Sequence, residues 1–158
     1  MSEVLLIGGG PAIAELCIEC GLEVVALIED PFDEVLTAQI LTEFPKLPLV
    51  LGEGRSRKKL VEKFQRAGRS FVGVAHPEAR ISVDVEIGVG AVIQYGCFVA
   101  AGSKVGAFSF MDVGSLLMQD AVVESYGILE PRALVMPGAV ISESAVLEAG
   151  AVARGKHG

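Results

Sequence analysis

The 158-residue chain has no tryptophan, two tyrosines and seven phenylalanines, which excludes a core built on large aromatic anchors. Histidine is as scarce: His76 and His157 are the only two, too few for a β-helical zinc enzyme that needs three on its metal. Three cysteines make no disulfide framework. Cys17-Ile-Glu-Cys20 has the C-x-x-C spacing, but it falls near the end of a helix before Gly21. The helix N-terminus that would lower a thiol pKa is elsewhere, and no second pair completes a zinc site. These read as ordinary, mostly buried thiols, and no metal is expected. Basic residues are outnumbered 13 to 20, a formal charge of -7, so a nucleic acid polymer is excluded as partner. No apolar run approaches the ~20 residues of a membrane span. The first run, Val4–Ile7, stops at Gly8 with no basic residue before it, so it is not a signal peptide and a cytoplasmic protein is expected.

What is abundant is small and aliphatic: 51% of the residues are hydrophobic and 19 are glycine. Over residues 1–74 the pattern alternates between strand and helix. Glu3–Ile7 reads as a strand, followed by Gly8-Gly9-Gly10 and a helix from Pro11 to Cys20 that stops at Gly21. Strands follow at Glu23–Ile28 and Leu47–Leu51, the second ending at Gly52. A charged helix over Arg55–Ala67 closes at Gly68, and Ser70–Val74 is a fourth strand. This order implies a parallel sheet with right-handed crossovers. Arg55, Arg57, Lys58 and Lys59 read chiefly as the wet face of the last helix, with nucleotide or CoA phosphates as the alternative partner.

Over residues 75–152 the period changes to six. From Ile81, steps of six reach Ile87, Ile93, Val99, Val105, Met111, Leu117, Val123, Leu129, Val135, Ile141 and Leu147. Four residues into nearly every block the side chain is small, from Ala91 to Ala151. An unbroken six-residue repeat marks a parallel β-helix, with one block per side of a triangular coil and residues 18 apart stacked. The fold class is therefore α/β plus β-solenoid. The last block, Leu147–Val152, leaves residues 153–158 as a short tail, with Lys156-His157-Gly158 mobile, and an end with unpaired strand edges.

A glycine-turned α/β half before hexapeptide repeats resembles the bacterial sugar O- and N-acetyltransferases, among them the sialic acid O-acetyltransferases and the bacillosamine-pathway N-acetyltransferases. The resemblance covers nearly the whole chain. It is carried by the first strand with Gly8-Gly9-Gly10, Glu29-Asp30 ending the second strand, Gly52 followed by Arg57, and the junction Ala75-His76-Pro77-Glu78-Ala79-Arg80-Ile81-Ser82. It implies a small Rossmann-like domain that binds a UDP-sugar-type molecule through Gly8, Gly9, Gly10, Glu29, Asp30, Gly52 and Arg57. It also implies a left-handed β-helix, a homotrimer, and acetyl-CoA as co-substrate in the groove between neighbouring β-helices.

The chain departs from the family pattern where chemistry is done. Pro11 and Ala12 stand where the family tends to have Gly and His. In the repeat, Gln119 stands at the position of the family's general-base His, with Asp120 at its acidic partner. An amide has no useful basicity at neutral pH. One coil on, Pro137 occupies the place of a Gly whose N–H can face the thioester oxygen, and proline has no N–H. His76, at the domain junction, reads as a local hydrogen-bonding residue. Two readings stay open: an acetyltransferase acting on a nucleotide-linked amino sugar, and a non-catalytic relative that binds such a sugar as a scaffold or regulator.

Overall fold

The computed structural model describes residues 1–52 and 54–158. Its N-terminal half is a three-stranded parallel sheet of order β2-β1-β3, from β1 (Ser2–Ile7), β2 (Leu22–Ile28) and β3 (Leu49–Leu51). Three helices join it: α1 (Gly10–Glu19), α2 (Glu34–Glu43) and α3 (Arg57–Arg66). Alternate residues of β1 serve the two faces, as the strand period requires. Val4 and Leu6 pack with Ile13, Leu16 and Cys17 of α1, whereas Leu5 and Ile7 pack with Leu60, Val61 and Phe64 of α3.

Two features differ from the reading of the sequence. The α2 helix does not follow from the sequence reading, and its outer face explains why: Val35 and Leu36 are exposed while Thr37 is buried, which blurs the stripe that Ile40, Leu41 and Phe44 turn to the core. Its N-terminus is nonetheless well signalled, since the Asp33 carboxylate accepts hydrogen bonds from the Val35 and Leu36 N–H groups. The expected fourth strand, Ser70–Val74, gives the sheet only one bridge, between Leu49 and Phe71. Its end, β4 (Val74–Ala75), belongs instead to the β-helix, where it pairs with residues 92–93.

The C-terminal half is a prism of three parallel five-stranded faces. The first face holds β4, β7 (Val92–Ile93), β10 (Phe110–Met111), β13 (Ile128–Leu129) and β16 (Val146–Leu147). The second holds β5 (Arg80–Ile81), β8 (Phe98–Val99), β11 (Leu116–Leu117), β14 (Leu134–Val135) and β17 (Val152–Ala153). The third holds β6 (Glu86–Ile87), β9 (Lys104–Val105), β12 (Val122–Val123), β15 (Val140–Ile141) and β18 (Lys156–His157). The second residue of each strand and the small residue between strands point inward, so Val99, Met111, Leu117, Val123, Leu129 and Val135 share one core with Ala121, Ala133 and Ala139. Burying each large aliphatic side chain contributes about 1.5–3 kcal/mol.

Every coil pairs with the next at a spacing of 18, except the last. Val140 and Ile141 pair with Lys156 and His157, a spacing of 16. The final corner is thus two residues shorter, and residues 153–158, expected as a short tail with a mobile Lys156-His157-Gly158, carry the end of β17 and all of β18. The His157 ring nitrogen lies 3.0 Å from the Val146 carbonyl and the Ser142 hydroxyl donates to the Gly158 carbonyl, which fixes the segment.

The first face of the prism is covered by the N-terminal half: Val74, Val92, Phe110 and Ile128 pack against Val4, Leu6, Ile13 and Leu16. Arg57 locks the junction from inside. Its guanidinium, 1% exposed, donates to the carbonyls of Phe108 (2.6 Å), Gly52 and Leu51 and lies 5.4 Å from the Phe110 ring centroid.

Candidate functional site

The strand order β2-β1-β3 reverses direction at β1, so the C-terminal ends of β1 and β3 open on a switch point, the usual ligand crevice of an open parallel sheet. Gly8-Gly9-Gly10 follows β1 and Gly52 follows β3. Gly52 is required there, because a Cβ would lie 2.7 Å from the Gly8 carbonyl oxygen. Gly8, Gly9 and Gly10 all adopt positive φ, and the N-terminus of α1 has no side-chain cap. Pro11 removes one of its free N–H donors. A cavity of about 380 Å³ lies against this loop, lined by Gly8, Gly9, Gly10, Pro11, Ala14, Leu27 and Glu29.

Four of the expected nucleotide-binding residues thus meet in one cavity: the three loop glycines and Glu29. Asp30 is adjacent in sequence but has a local task, its carboxylate accepting the Phe32 N–H at 2.9 Å. Gly52 supports the loop from behind. Arg57 is not in the cavity: burial pushes its guanidinium down to about 9, and three carbonyls hold it. The resemblance implies a nucleotide-binding role for Arg57; in the structure its guanidinium is buried on carbonyls and holds the halves together.

The other expected residues lie at the corner between the second and third faces. At each corner the second residue adopts positive φ, every six residues from Gly90 to Gly150. Most are glycine, but at this corner the stack runs Asp84, Gly102, Asp120, Gly138, and Asp120 has φ 56°. Asp and Asn tolerate this conformation better than most residues with a side chain. Gln119 and Asp120 are both exposed, and Leu117 pairs with Val135, so Pro137 stacks directly on Gln119. The Gly138 N–H donates to the Gln119 carbonyl at 2.9 Å and the Asp120 N–H to the Ala101 carbonyl at 3.1 Å. The Asp84 carboxylate accepts the Gly102 N–H at 3.0 Å. At Gly102 a Cβ would collide with the Asp120 carboxylate oxygen, which places that carboxylate over the preceding coil. With Pro137 lacking an N–H and that of Gly138 engaged, neither residue stacked on the Gln119–Asp120 corner offers a free backbone donor.

This corner separates two different surfaces. On the second face the outward side chains of Phe98, Leu116 and Leu134 form an apolar strip, half-buried by their neighbours, that continues to exposed Val152. On the third face an open groove of about 690 Å³ runs past Glu86, Lys104, Val122, Glu124 and Glu143.

Neither histidine reaches this corner. His76 Nδ1 accepts the Glu78 N–H at 3.0 Å while Nε2 faces the Glu19 carboxylate at 2.6 Å. With both nitrogens engaged and the ring buried, His76 ties α1 to the junction and has no nitrogen left for a substrate. The thiols are quiet: burial pushes Cys17 up to about 11 and raises Cys20 and Cys97 as well. Among the described residues no group of three or more His, Cys, Asp or Glu is placed to hold a metal ion, and no helix is long and apolar enough to cross a membrane.

No protein-family model and no curated protein sequence matches the chain. Solved structures do. A histidine-to-alanine variant of GDP-perosamine N-acetyltransferase from Caulobacter crescentus, in complex with CoA and GDP-perosamine, matches with TM-score 0.79 and 25% identity over 99% of this chain and 90% of its own. PerB from the same organism, also with CoA and GDP-perosamine, matches with TM-score 0.77, 25% identity and the same coverage. The acetyltransferase domain of PglB from Neisseria gonorrhoeae FA1090, with acetyl coenzyme A, shares the fold at TM-score 0.68 and 17% identity, over 95% of this chain and 86% of its own. The structural neighbours are thus bacterial sugar N-acetyltransferases built on hexapeptide repeats, in keeping with the resemblance carried by the residues above. The acyl carrier those structures hold is CoA or acetyl-CoA.

Proposed function

We propose that this chain is an acetyl-CoA-dependent acetyltransferase-like protein that binds a nucleotide-linked amino sugar. In this reading the N-terminal half is a Rossmann-like nucleotide-sugar domain and the repeats form a left-handed β-helix. The observation that carries it is the switch-point cavity. Its glycine loop bears no side chains, the α1 N-terminus is uncapped, and an exposed carboxylate, Glu29, stands on the wall. Backbone N–H groups of the loop bind the phosphates, and Glu29 accepts from the base or ribose. The neighbours at 25% identity, which hold CoA and GDP-perosamine, support the ligand class. They also widen it from UDP-linked to GDP-linked sugars.

The acyl donor lies along the third-face groove, beside a second copy of the chain that packs on the apolar strip of Phe98, Leu116 and Leu134. A homotrimer closes such an arrangement with three equal contacts. Gln119 orients the acceptor by hydrogen bonding, and the carboxylate of the adjacent Asp120 takes the proton.

A second reading has its own observation. Gln119 cannot act as base, and Pro137 cannot donate to a developing oxyanion, which favours a non-catalytic relative that binds the sugar as a scaffold or regulator. Release of CoA from acetyl-CoA, measured with UDP- and GDP-linked amino sugars, separates the two. Sugar-dependent release that is abolished in Asp120→Ala establishes transfer; sugar binding with no release establishes the second reading.

A further inference from the structure

Between the first turn of α3 and the corner joining the third and first faces lies a cavity of about 330 Å³. Its lining includes Arg55, Lys58, Lys59, Tyr126 and Ser144, with Glu62 as its one acid. In a chain with 13 basic residues against 20 acidic ones, four of the thirteen fall within residues 55–59. They stand against local electrostatics: Arg57, Lys58 and Lys59 open α3, where the helix dipole disfavours positive charge, and no acid accompanies them there. The carbonyl contacts of Arg57 account for that residue. The other three are not accounted for by the fold. Arg55 reaches Glu130 at 2.8 Å and Glu148 at 3.5 Å, and Lys58 reaches Glu143 at 3.4 Å, all exposed pairs of little worth. Lys59 has no carboxylate within ion-pair distance among the described residues, and lies 5.2 Å from the Phe32 ring centroid.

On the opposite wall Tyr126 ends an aromatic stack that runs in from the core. Phe71 meets Phe108 edge-on at 5.2 Å, and Phe108 stacks on Tyr126 at 5.7 Å with 9° between the planes. Phe108 and Tyr126 hold positive φ, 56° and 62°, at a corner that the preceding coil gives to Gly90. One coil on, the corner residue is Ser144, small and exposed, so the stack stops at Tyr126 beside the cavity. The Lys58 ammonium lies 5.9 Å from the Tyr126 ring centroid.

We propose that this groove binds a phosphorylated nucleoside, its base continuing the stack on Tyr126 over Ser144 and its phosphate held by Arg55, Lys58 and Lys59. A planar base finds a π-face there, and a phosphate gives Lys59 a counter-charge and offers Arg55 and Lys58 a stronger partner than the surface carboxylates they now reach. Two sources share this chemistry, the 3′-phosphorylated ADP end of CoA and a free purine nucleotide. The site shares no lining residue with the glycine-loop cavity, and it does not rest on acetyl transfer.

The chain itself supplies the probe. With no tryptophan and two tyrosines, Tyr95→Phe leaves Tyr126 as the sole emitter. In that background, adenosine 3′,5′-bisphosphate, CoA, ADP and adenosine are titrated separately. Saturable quenching by the phosphorylated compounds is expected, with adenosine at least about tenfold weaker, and Lys58→Gln/Lys59→Gln weakening the nucleotides by a similar factor. Glu29→Ala, in the other cavity, leaves the quenching unchanged. If CoA and the bisphosphate bind tenfold more tightly than ADP, the source is CoA; if ADP binds as well, it is a free nucleotide. Tyr126→Asn, which accepts the positive φ, is followed by calorimetry with ADP and the bisphosphate and loses the binding. The proposal is overturned if no nucleotide quenches at low-millimolar concentration. Quenching undiminished in the folded double-lysine variant, or calorimetric binding undiminished in Tyr126→Asn, overturns it equally.

Discussion

Under the proposed function, a glutamine at position 119 is the residue on which acetyl transfer turns. The hexad register runs unbroken through it, so Leu117 and Ala121 are core while Gln119 and Asp120 face solvent at a corner. Its stacking partner Pro137 removes a donor at the same spot. Restoring the base as Gln119→His is expected to raise sugar-dependent CoA release at least tenfold, the low end of what a positioned base supplies; equal rates in the two proteins would show that this corner does not carry the chemistry. Arg57 is the opposite case, a residue with the look of a ligand-binding cation and the surroundings of a scaffold. Arg57→Met leaves three carbonyls without their donor, and denaturant unfolding should register a loss of about 3 kcal/mol or more. The burial that raises the Cys17 thiol to about 11 keeps its thiolate near one part in a thousand at pH 8. Alkylation of Cys17 in the native protein should therefore be far slower than in the unfolded chain, and comparable rates would contradict its burial.

At the scale of elements, the repeat was legible because its constraint is strict: the inward positions of all three faces share one dry core, so a slip of one residue would bury a polar side chain. Leu117→Ala opens a cavity in one such column and is expected to cost about 3 kcal/mol in unfolding free energy. The α2 helix was hidden by the opposite circumstance, a sequence with Val35 and Leu36 turned to solvent. Only the Asp33 cap announces it, and Asp33→Ala should cost about 1 kcal/mol. The strand expected at Ser70–Val74 shows how the halves compete for one segment, since Phe71 touches the sheet while Val74 joins the first face of the prism. The shortened last corner had no signal, because the six-residue step gives no warning of its own end. Within the candidate site, the glycine loop and Glu29 could be read from strand ends, whereas the tasks of Arg57 and Asp30 depend on carbonyls and N–H groups that no spacing reveals.

At the scale of the whole molecule, two surfaces of the prism are accounted for differently. The first face is sealed by the N-terminal half through Val74, Val92, Phe110 and Ile128, and the second presents Phe98, Leu116 and Leu134 half-buried. A homotrimer of the 16.5 kDa chain is the expected species in solution, and Leu116→Glu is expected to reduce it to monomers; a wild type that is strictly monomeric by light scattering would remove the groove between copies. The central claim is that the switch-point cavity takes a nucleotide-linked amino sugar. Isothermal titration of the wild type with GDP- and UDP-linked amino sugars tests it most directly. Saturable binding of at least one, with one site per chain and affinity lost in Glu29→Ala, is the expected result. Absence of binding by both at millimolar concentration, in a protein shown to be folded, would contradict it.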